Sequence, residues 1–259
     1  MTGSKRGGVV LQDRDRHLLK ELCVLRIIDR EMTKTVAGFQ STRRANARLL
    51  QLTRGGLLKR FFVGSVANGR KAIYTLSAKG ADLAEAKLGG IHRQSGRLIV
   101  GDAFVAHQSG INDIYIALKY RNAPGSSARL IRWHTFRQSI SDSTKLTPDG
   151  YLELSTSHGV KAMFLEVDQG TEALSVWQQK SASYLQLAVS GEFVQRFRQA
   201  QFRVLVVANS DRRLAHIRAT VAKSTEKIFW FTTLDIIHRE SIWSPIWSRP
   251  AGDQRHSLL

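Results

Sequence analysis

Thr147-Pro148-Asp149-Gly150 and Phe164-Leu165-Glu166-Val167-Asp168 decide how the second half of this 259-residue chain folds. Pro148 and Gly150 predict a turn immediately before Tyr151-Leu152-Glu153-Leu154. Ser157-His158-Gly159 predicts another after it, so the chain returns through Val160 to Val167 as the second strand of a hairpin. Asp149 then starts one strand, while Glu166 and Asp168 end its partner. Alternate strand residues point to the same side, so Glu166 and Asp168 share a face. Carboxylates gathered at one end of an apolar hairpin need a reason in a chain with 39 Lys and Arg against 21 Asp and Glu, a net charge of +18. A divalent metal held at a phosphate is one such reason.

Working outward, Gly170 and Thr171 break the strand and open a helix with Val176, Trp177, Tyr184, Leu185 and Leu187 as apolar contacts. Lys180 and Tyr184, four apart, lie on one face of it. Phe202 to Ala208 is a continuous apolar run suited to a buried strand, and Asn209-Ser210-Asp211 can cap a helix through Lys223. Lys227 to Thr233 supplies a last strand before the helix-like Leu234-Asp235-Ile236-Ile237. Upstream, Ala128 to Phe136 is β-prone, and a helix runs from Phe104 through Tyr120, where His107 and Asn112 read as polar partners of buried backbone. This order predicts a mixed sheet flanked by helices. The tryptophans of the tail, Trp243 and Trp247, either fold back on the core or dock a partner.

The first third differs in charge and pattern. Asp13 and Asp15 suit the first turn of a helix striped by Leu18, Leu19, Leu22 and Leu25. A short segment, Thr33 to Phe39, follows. Ser41 or Thr42 can cap a helix carrying Arg43, Arg44 and Arg48, with Ala45, Leu49 and Leu52 at helical spacing, and Gly55-Gly56 stops it. Leu57 to Val66 and Arg70 to Leu76 form a hairpin around Asn68-Gly69, and Ser77 opens another helix. From Met32 to Ala81 there are ten Lys or Arg residues and no Asp or Glu. Helix, helix, basic helix and basic hairpin is the order of a winged helix-turn-helix, whose third helix enters the major groove. Arg43, Arg44, Arg48, Lys59, Arg60, Arg70 and Lys71 are the expected DNA contacts. A solvated basic face on a dimerisation wing is the alternative. Cys23 stands alone, which excludes an intrachain disulfide and thiolate zinc clusters. No apolar run approaches the roughly 20 residues that span a bilayer, so a cytoplasmic protein without membrane partners is expected.

Pro148-Asp149, Glu166 and a lysine near them resemble the restriction-endonuclease-like PD-(D/E)xK superfamily, except that Asp168 stands where the strand lysine is expected. Together with Phe164-Leu165-Glu166-Val167-Asp168-Gln169-Gly170-Thr171-Glu172, Lys180-Ser181-Ala182-Ser183-Tyr184 and the winged helix, the chain resembles the replication-relaxation family of plasmid and mobile-element proteins over roughly residues 10 to 235. The resemblance implies an α+β or α/β architecture. By its own residues the chain divides into a winged helix at 9–88, a glycine-rich linker at 89–103, a mixed sheet flanked by helices at 104–240, nuclease-like on the resemblance, and a tail at 241–259. It implies a metal at Asp149 and Glu166, with Asp168 as an additional ligand and Lys180 replacing the strand lysine, so that the catalytic set is Asp149, Glu166, Asp168 and Lys180. Active, such a site is a Mg2+- or Mn2+-dependent DNA endonuclease or nickase. Inactive, it is a scaffold in which Asp149 sits in a turn, Asp168 caps the following helix and Lys180 pairs with a neighbouring acid. Expected partners are double-stranded DNA, a second copy in a homodimer, and replication or mobilisation proteins. The competing function is a non-enzymatic winged-helix transcriptional regulator whose degenerate nuclease-like domain mediates dimerisation or partner binding.

Overall fold

The acids at 13 and 15 do start a helix: α1, Asp13–Leu25, opens with a capping box in which the Gln12 N–H donates to Asp15 Oδ2 at 2.7 Å. The computed structural model describes residues 9–64, 69–84, 101–123, 125 and 128–259. Its two compact units are Met1–Ile116 and Ala117–Leu259.

In the first unit, α2 (Arg30–Val36) starts at Asp29, whose side chain accepts from the Met32 N–H, and α3 (Thr42–Arg54) starts at Ser41, whose hydroxyl accepts from the Arg44 N–H. Such caps contribute about 1 kcal/mol each. The predicted stripes, Leu18, Leu19, Leu22 and Leu25 on α1 and Ala45, Leu49 and Leu52 on α3, are all buried. Strands β1 (Leu58–Val63) and β2 (Lys71–Leu76) pair antiparallel, with Arg60 opposite Tyr74. Of the expected turn, Gly69 has a positive φ of 81°, while Asn68 lies outside the described residues. Helix α4 (Ala78–Leu83) is capped by Ser77 and crosses so close to the Leu57 carbonyl that Gly80 has no room for a Cβ.

Helix α5 spans Asp102–Tyr120. Asn112 is the polar partner of buried backbone that its sequence position suggests: its Nδ2 donates to the carbonyls of Leu25 and Ile27 at 3.0 and 2.8 Å. Val105 packs with Ile27 and Ile73. These contacts tie the start of α5 to the first unit. The two units divide between Ile116 and Ala117, inside the helix; of the stretch expected as a linker, residues 89–100 lie outside the described residues.

The second unit is built on a seven-stranded mixed sheet ordered β3 (Arg129–His134), β4 (Gly150–Thr156), β5 (Gly159–Asp168), β6 (Phe202–Ala208), β7 (Phe229–Thr233), β8 (Trp247–Ser248) and β9 (Arg255–His256). Strands β3, β4 and β5 are successively antiparallel, β5, β6 and β7 run parallel, and β7, β8 and β9 are antiparallel again. Between β5 and β6 lie α6 (Leu174–Val189) and α7 (Glu192–Phe197); between β6 and β7 lies α8 (Asp211–Ala222); α9 (Leu234–Arg239) follows β7. One face of the sheet carries an aromatic core of Tyr151, Phe164, Trp177, Tyr184, Phe193, Phe229 and Phe231. The segment expected as a tail is part of this sheet. Trp247 is fully buried in β8, and the Trp243 indole N–H donates to the Arg121 carbonyl at 2.9 Å. Among the described residues no helix is long and apolar enough to cross a membrane.

Candidate functional site

The strand β5 alternates as its sequence predicts, and the side presenting Phe164, Glu166 and Asp168 is met by one face of α6. The Trp177 indole N–H donates to Asp168 Oδ2 at 3.0 Å, Lys180 Nζ donates to Glu166 Oε2 at 2.9 Å, and the Tyr184 hydroxyl donates to Glu166 Oε1 at 2.6 Å. Residues 177, 180 and 184 recur at helical spacing, so α6 lays its polar contacts along the strand it has just left. Gly170 makes that reversal possible. Its φ is +82°, its N–H donates to Asp168 Oδ1 at 2.7 Å, and an added Cβ would crowd the Asn209 amide.

Asp149 joins the cluster from the neighbouring strand. Gly150 pairs with Leu165, which puts the preceding carboxylate level with the end of β5, and Asp149 Oδ2 accepts from the Val167 N–H at 2.8 Å. Glu172, on the turn into α6, binds Lys180 Nζ through both oxygens at 2.9 and 3.0 Å. Glu166 is 1% exposed, whereas the Glu172 side chain is 37% exposed, so the cluster runs from a buried acid to one that reaches solvent.

The two strand acids have opposite electrostatics. Burial pushes Glu166 up to about 7, with Lys180 opposing and the nearby Asp149 charge adding to the rise. Burial likewise pushes Asp149 up to about 6 against the Val167 N–H and Lys180. Lys180 is held well above the ordinary lysine range because Glu166 and Glu172 outweigh its desolvation. Asp168 is also desolvated, but Arg213, Trp177 and the Gly170 N–H together hold it below the usual carboxylate range. Arg213 reaches it bidentately, Nε to Oδ1 and Nη2 to Oδ2, both at 2.7 Å.

The predicted acids and Lys180 therefore do meet, with Asp149, Glu166 and Lys180 in one cluster and Asp168 turned into a separate ion pair. Sequence reasoning did not find Arg213. The signal was present in outline: β5 and β6 are parallel with Asp168 level with Ala208, so the helix predicted to start at Ser210 must begin beside Asp168. Glu172 was visible only as part of a string. Among the described residues no group of three or more His, Cys, Asp or Glu is arranged to hold a metal ion.

The basic residues divide in the same manner. Arg43 and Arg44 on α3 and Lys59 and Arg60 on β1 are exposed, as is Arg70 before β2, and Arg60 lies over the Phe62 ring at 5.0 Å. Arg48 faces inward instead. Its Nε donates to Asp15 Oδ1 at 2.9 Å, and its other nitrogens reach the Val10 carbonyl and Gln51. Lys71 is exposed along its length but pairs with the buried Asp29.

No curated protein and no solved structure matches this chain. The family model described as replication-relaxation matches residues 22–200, a span that holds α3, the β1–β2 hairpin, Asp149, Glu166 and Lys180. On that match, which covers well over half of its length, the chain belongs to the replication-relaxation family.

Proposed function

We propose that the chain is a DNA-binding protein of a plasmid or mobile element, acting in replication, DNA relaxation or mobilisation through a winged-helix unit and a metal-dependent, nuclease-like unit. Family membership supports the process. The winged-helix reading is supported by three helices followed by an antiparallel hairpin, with Arg43, Arg44, Lys59 and Arg60 all directed to solvent.

The observation that carries the nuclease-like reading is the 2.9 Å contact between Lys180 Nζ and Glu166 Oε2. It sets a helix-borne lysine beside the strand acid, where the resemblance expected a lysine from the strand itself. Asp149 and Glu166 fit a divalent cation because burial raises the proton affinity of both, a cost that a bound cation would relieve. Magnesium is commonly held by one or two carboxylates with substrate phosphates completing its shell, so two acids suffice. Asp168 does not fit this role, since each of its oxygens already accepts two hydrogen bonds, whereas each Glu166 oxygen accepts one and keeps acceptor capacity. When bound, Mg2+ or Mn2+ would polarise the phosphoryl oxygen and acidify a water. Lys180 would place a fixed positive charge beside the phosphate, Tyr184 would orient Glu166, and Glu172 would hold Lys180 in place. Supercoiled plasmid incubated with the protein and Mg2+ or Mn2+ should be nicked, and Asp149→Ala or Glu166→Ala should abolish nicking. Purified protein that binds DNA yet leaves it intact with either metal would sink the catalytic half.

A second reading has its own observation. Lys180 is gripped by two carboxylates, as in a scaffold whose charges have settled into structural pairs. On that reading the second unit serves dimerisation or partner binding for a non-enzymatic regulator. A footprint of two half-sites, lost in Arg43→Ala/Arg44→Ala and unchanged in Asp149→Ala, would favour it.

A further inference from the structure

The opposite end of the sheet holds a feature that the acid cluster does not use. Where β5, β6 and β7 begin, a hollow of about 570 Å³ is lined by His158, Lys161, Arg203, Lys227, Trp230 and Arg249, among others. From Lys161 to Glu166 along β5 the separation is roughly 17 Å at about 3.3 Å per residue, so the hollow is distinct from the acids.

Among the described residues, neither Lys161, Arg203, Lys227 nor Arg249 forms an ion pair with a carboxylate. Lys161 Nζ and Arg203 Nη1 share one backbone acceptor, the Leu258 carbonyl, at 3.2 and 3.3 Å. The guanidiniums of Arg203 and Arg249 both lie over the Trp230 ring, at 4.2 and 5.4 Å, which fixes their positions without neutralising them. Arg249 Nη2 donates to the Glu226 carbonyl, yet its Nε is buried with no acceptor. A buried donor left without an acceptor destabilises its position, and an acceptor brought in from outside would relieve this. Burial and the neighbouring Arg203 hold Lys161 below its ordinary value, and burial and Arg249 do the same to Arg203. Like charges are thus crowded into a concavity, with an orphan donor among them and, among the described residues, no carboxylate paired with them.

We propose that this hollow is a phosphate-binding site, in which Arg249, Arg203, Lys161 and Lys227 take a phosphate group belonging to a nucleic-acid strand or a free nucleotide. The volume accommodates a phosphate with its sugar, and guanidiniums braced on an aromatic ring offer the planar donor pairs that phosphate oxygens accept. The proposal is independent of cutting and of the first unit.

The test uses the full chain carrying Arg43→Ala and Arg44→Ala, so that those exposed arginines do not dominate. Binding of a labelled single-stranded oligothymidylate, and separately of ADP, is measured across a salt series without divalent metal. Lys227→Ala, an exposed change that leaves the core intact, should weaken binding about threefold. Lys227→Ala/Arg249→Gln should weaken it about tenfold and reduce the salt slope for the oligonucleotide by about 1–2, as expected when one or two phosphates are no longer neutralised. Arg249→Lys, which keeps the charge but removes the fork and its Nε donor, should fall between. Loss confined to the oligonucleotide assigns the phosphate to a strand; loss confined to ADP assigns it to a free nucleotide. Affinities for both ligands that are unchanged in Lys227→Ala and in the double variant overturn the proposal.

Discussion

Glu166 and Asp168 stand two residues apart on one face of β5, equally inaccessible to water, and the fold treats them in opposite ways. Around Asp168 every donor is dedicated: Arg213 holds both oxygens, Trp177 and the Gly170 N–H add to them, and the proton affinity falls. Around Glu166 the cation Lys180 is shared with Glu172, a second carboxylate stands close by in Asp149, and the proton affinity rises. Burial alone therefore does not mark a functional acid. The difference lies in whether the fold completes the neutralisation or leaves it for something else to complete, and perturbations that the fold leaves in place are the ones that point to function.

The largest expected effect tests the completed half. Arg213→Ala should destabilise the second unit by about 3–5 kcal/mol, because it strands a buried carboxylate. Urea unfolding followed by tryptophan fluorescence measures this, and an equal loss in Glu166→Gln would erase the distinction between the two acids. Next in size is Arg48→Ala in the first unit, where the 1%-exposed Asp15 would lose its guanidinium. A loss of about 3 kcal/mol is expected, and a neutral result would return Arg48 to the DNA-facing group.

Acidity separates the two strand acids by sign. Asp168, depressed in the fold, contributes stability that is present above its ordinary value of 3.8 and is lost as pH falls through its lower folded value. Glu166, raised from 4.5 to about 7, behaves in reverse. In that interval the unfolded chain ionises first, so stability present below 4.5 is lost as pH rises through about 7. Relative to Glu166→Gln, the wild-type chain should lose about 3 kcal/mol across this window. Thermal unfolding of both proteins from pH 4 to 8 measures it; parallel curves would mean that Glu166 carries no such cost.

Much of this arrangement is legible in the sequence, for a definite reason. Periodicity and turn residues report local geometry, so the hairpin ending in Glu166 and Asp168, the caps at Ser41 and Ser210, and the shared face of Lys180 and Tyr184 all follow from spacing. The replication-relaxation resemblance rests on the same strings. What the spacing does not report is which element arrives beside another. Arg213 reaches Asp168 across 45 positions because β6 pairs parallel to β5. Strands β8 and β9 are two residues each, too short to show alternation, so Trp247 reads equally as core or docking residue until the pairing is known. Helix α7 is likewise too short for its period to show.

The smallest expected change in stability carries the sharpest statement about the basic unit. Arg43 and Arg44 occupy the first turn of α3, a poor place for cations on helix-dipole grounds, and both are exposed. Replacing them should leave stability within about 0.5 kcal/mol of the wild type or raise it slightly. If they bind phosphates, the same double substitution should lower affinity for duplex DNA and reduce the salt slope by about 1 for each phosphate left unneutralised. Arg48→Ala, measured beside it at a temperature where the fold persists, should show the converse: a large stability change and little change in slope. Two cations of one helix, four positions apart, would then be separated by the criterion that separates Glu166 from Asp168, since Arg48 has its counter-charge inside the protein and Arg44 looks for one outside. If Arg43→Ala/Arg44→Ala leaves affinity and slope untouched, α3 does not read DNA, and the basic surface serves another partner.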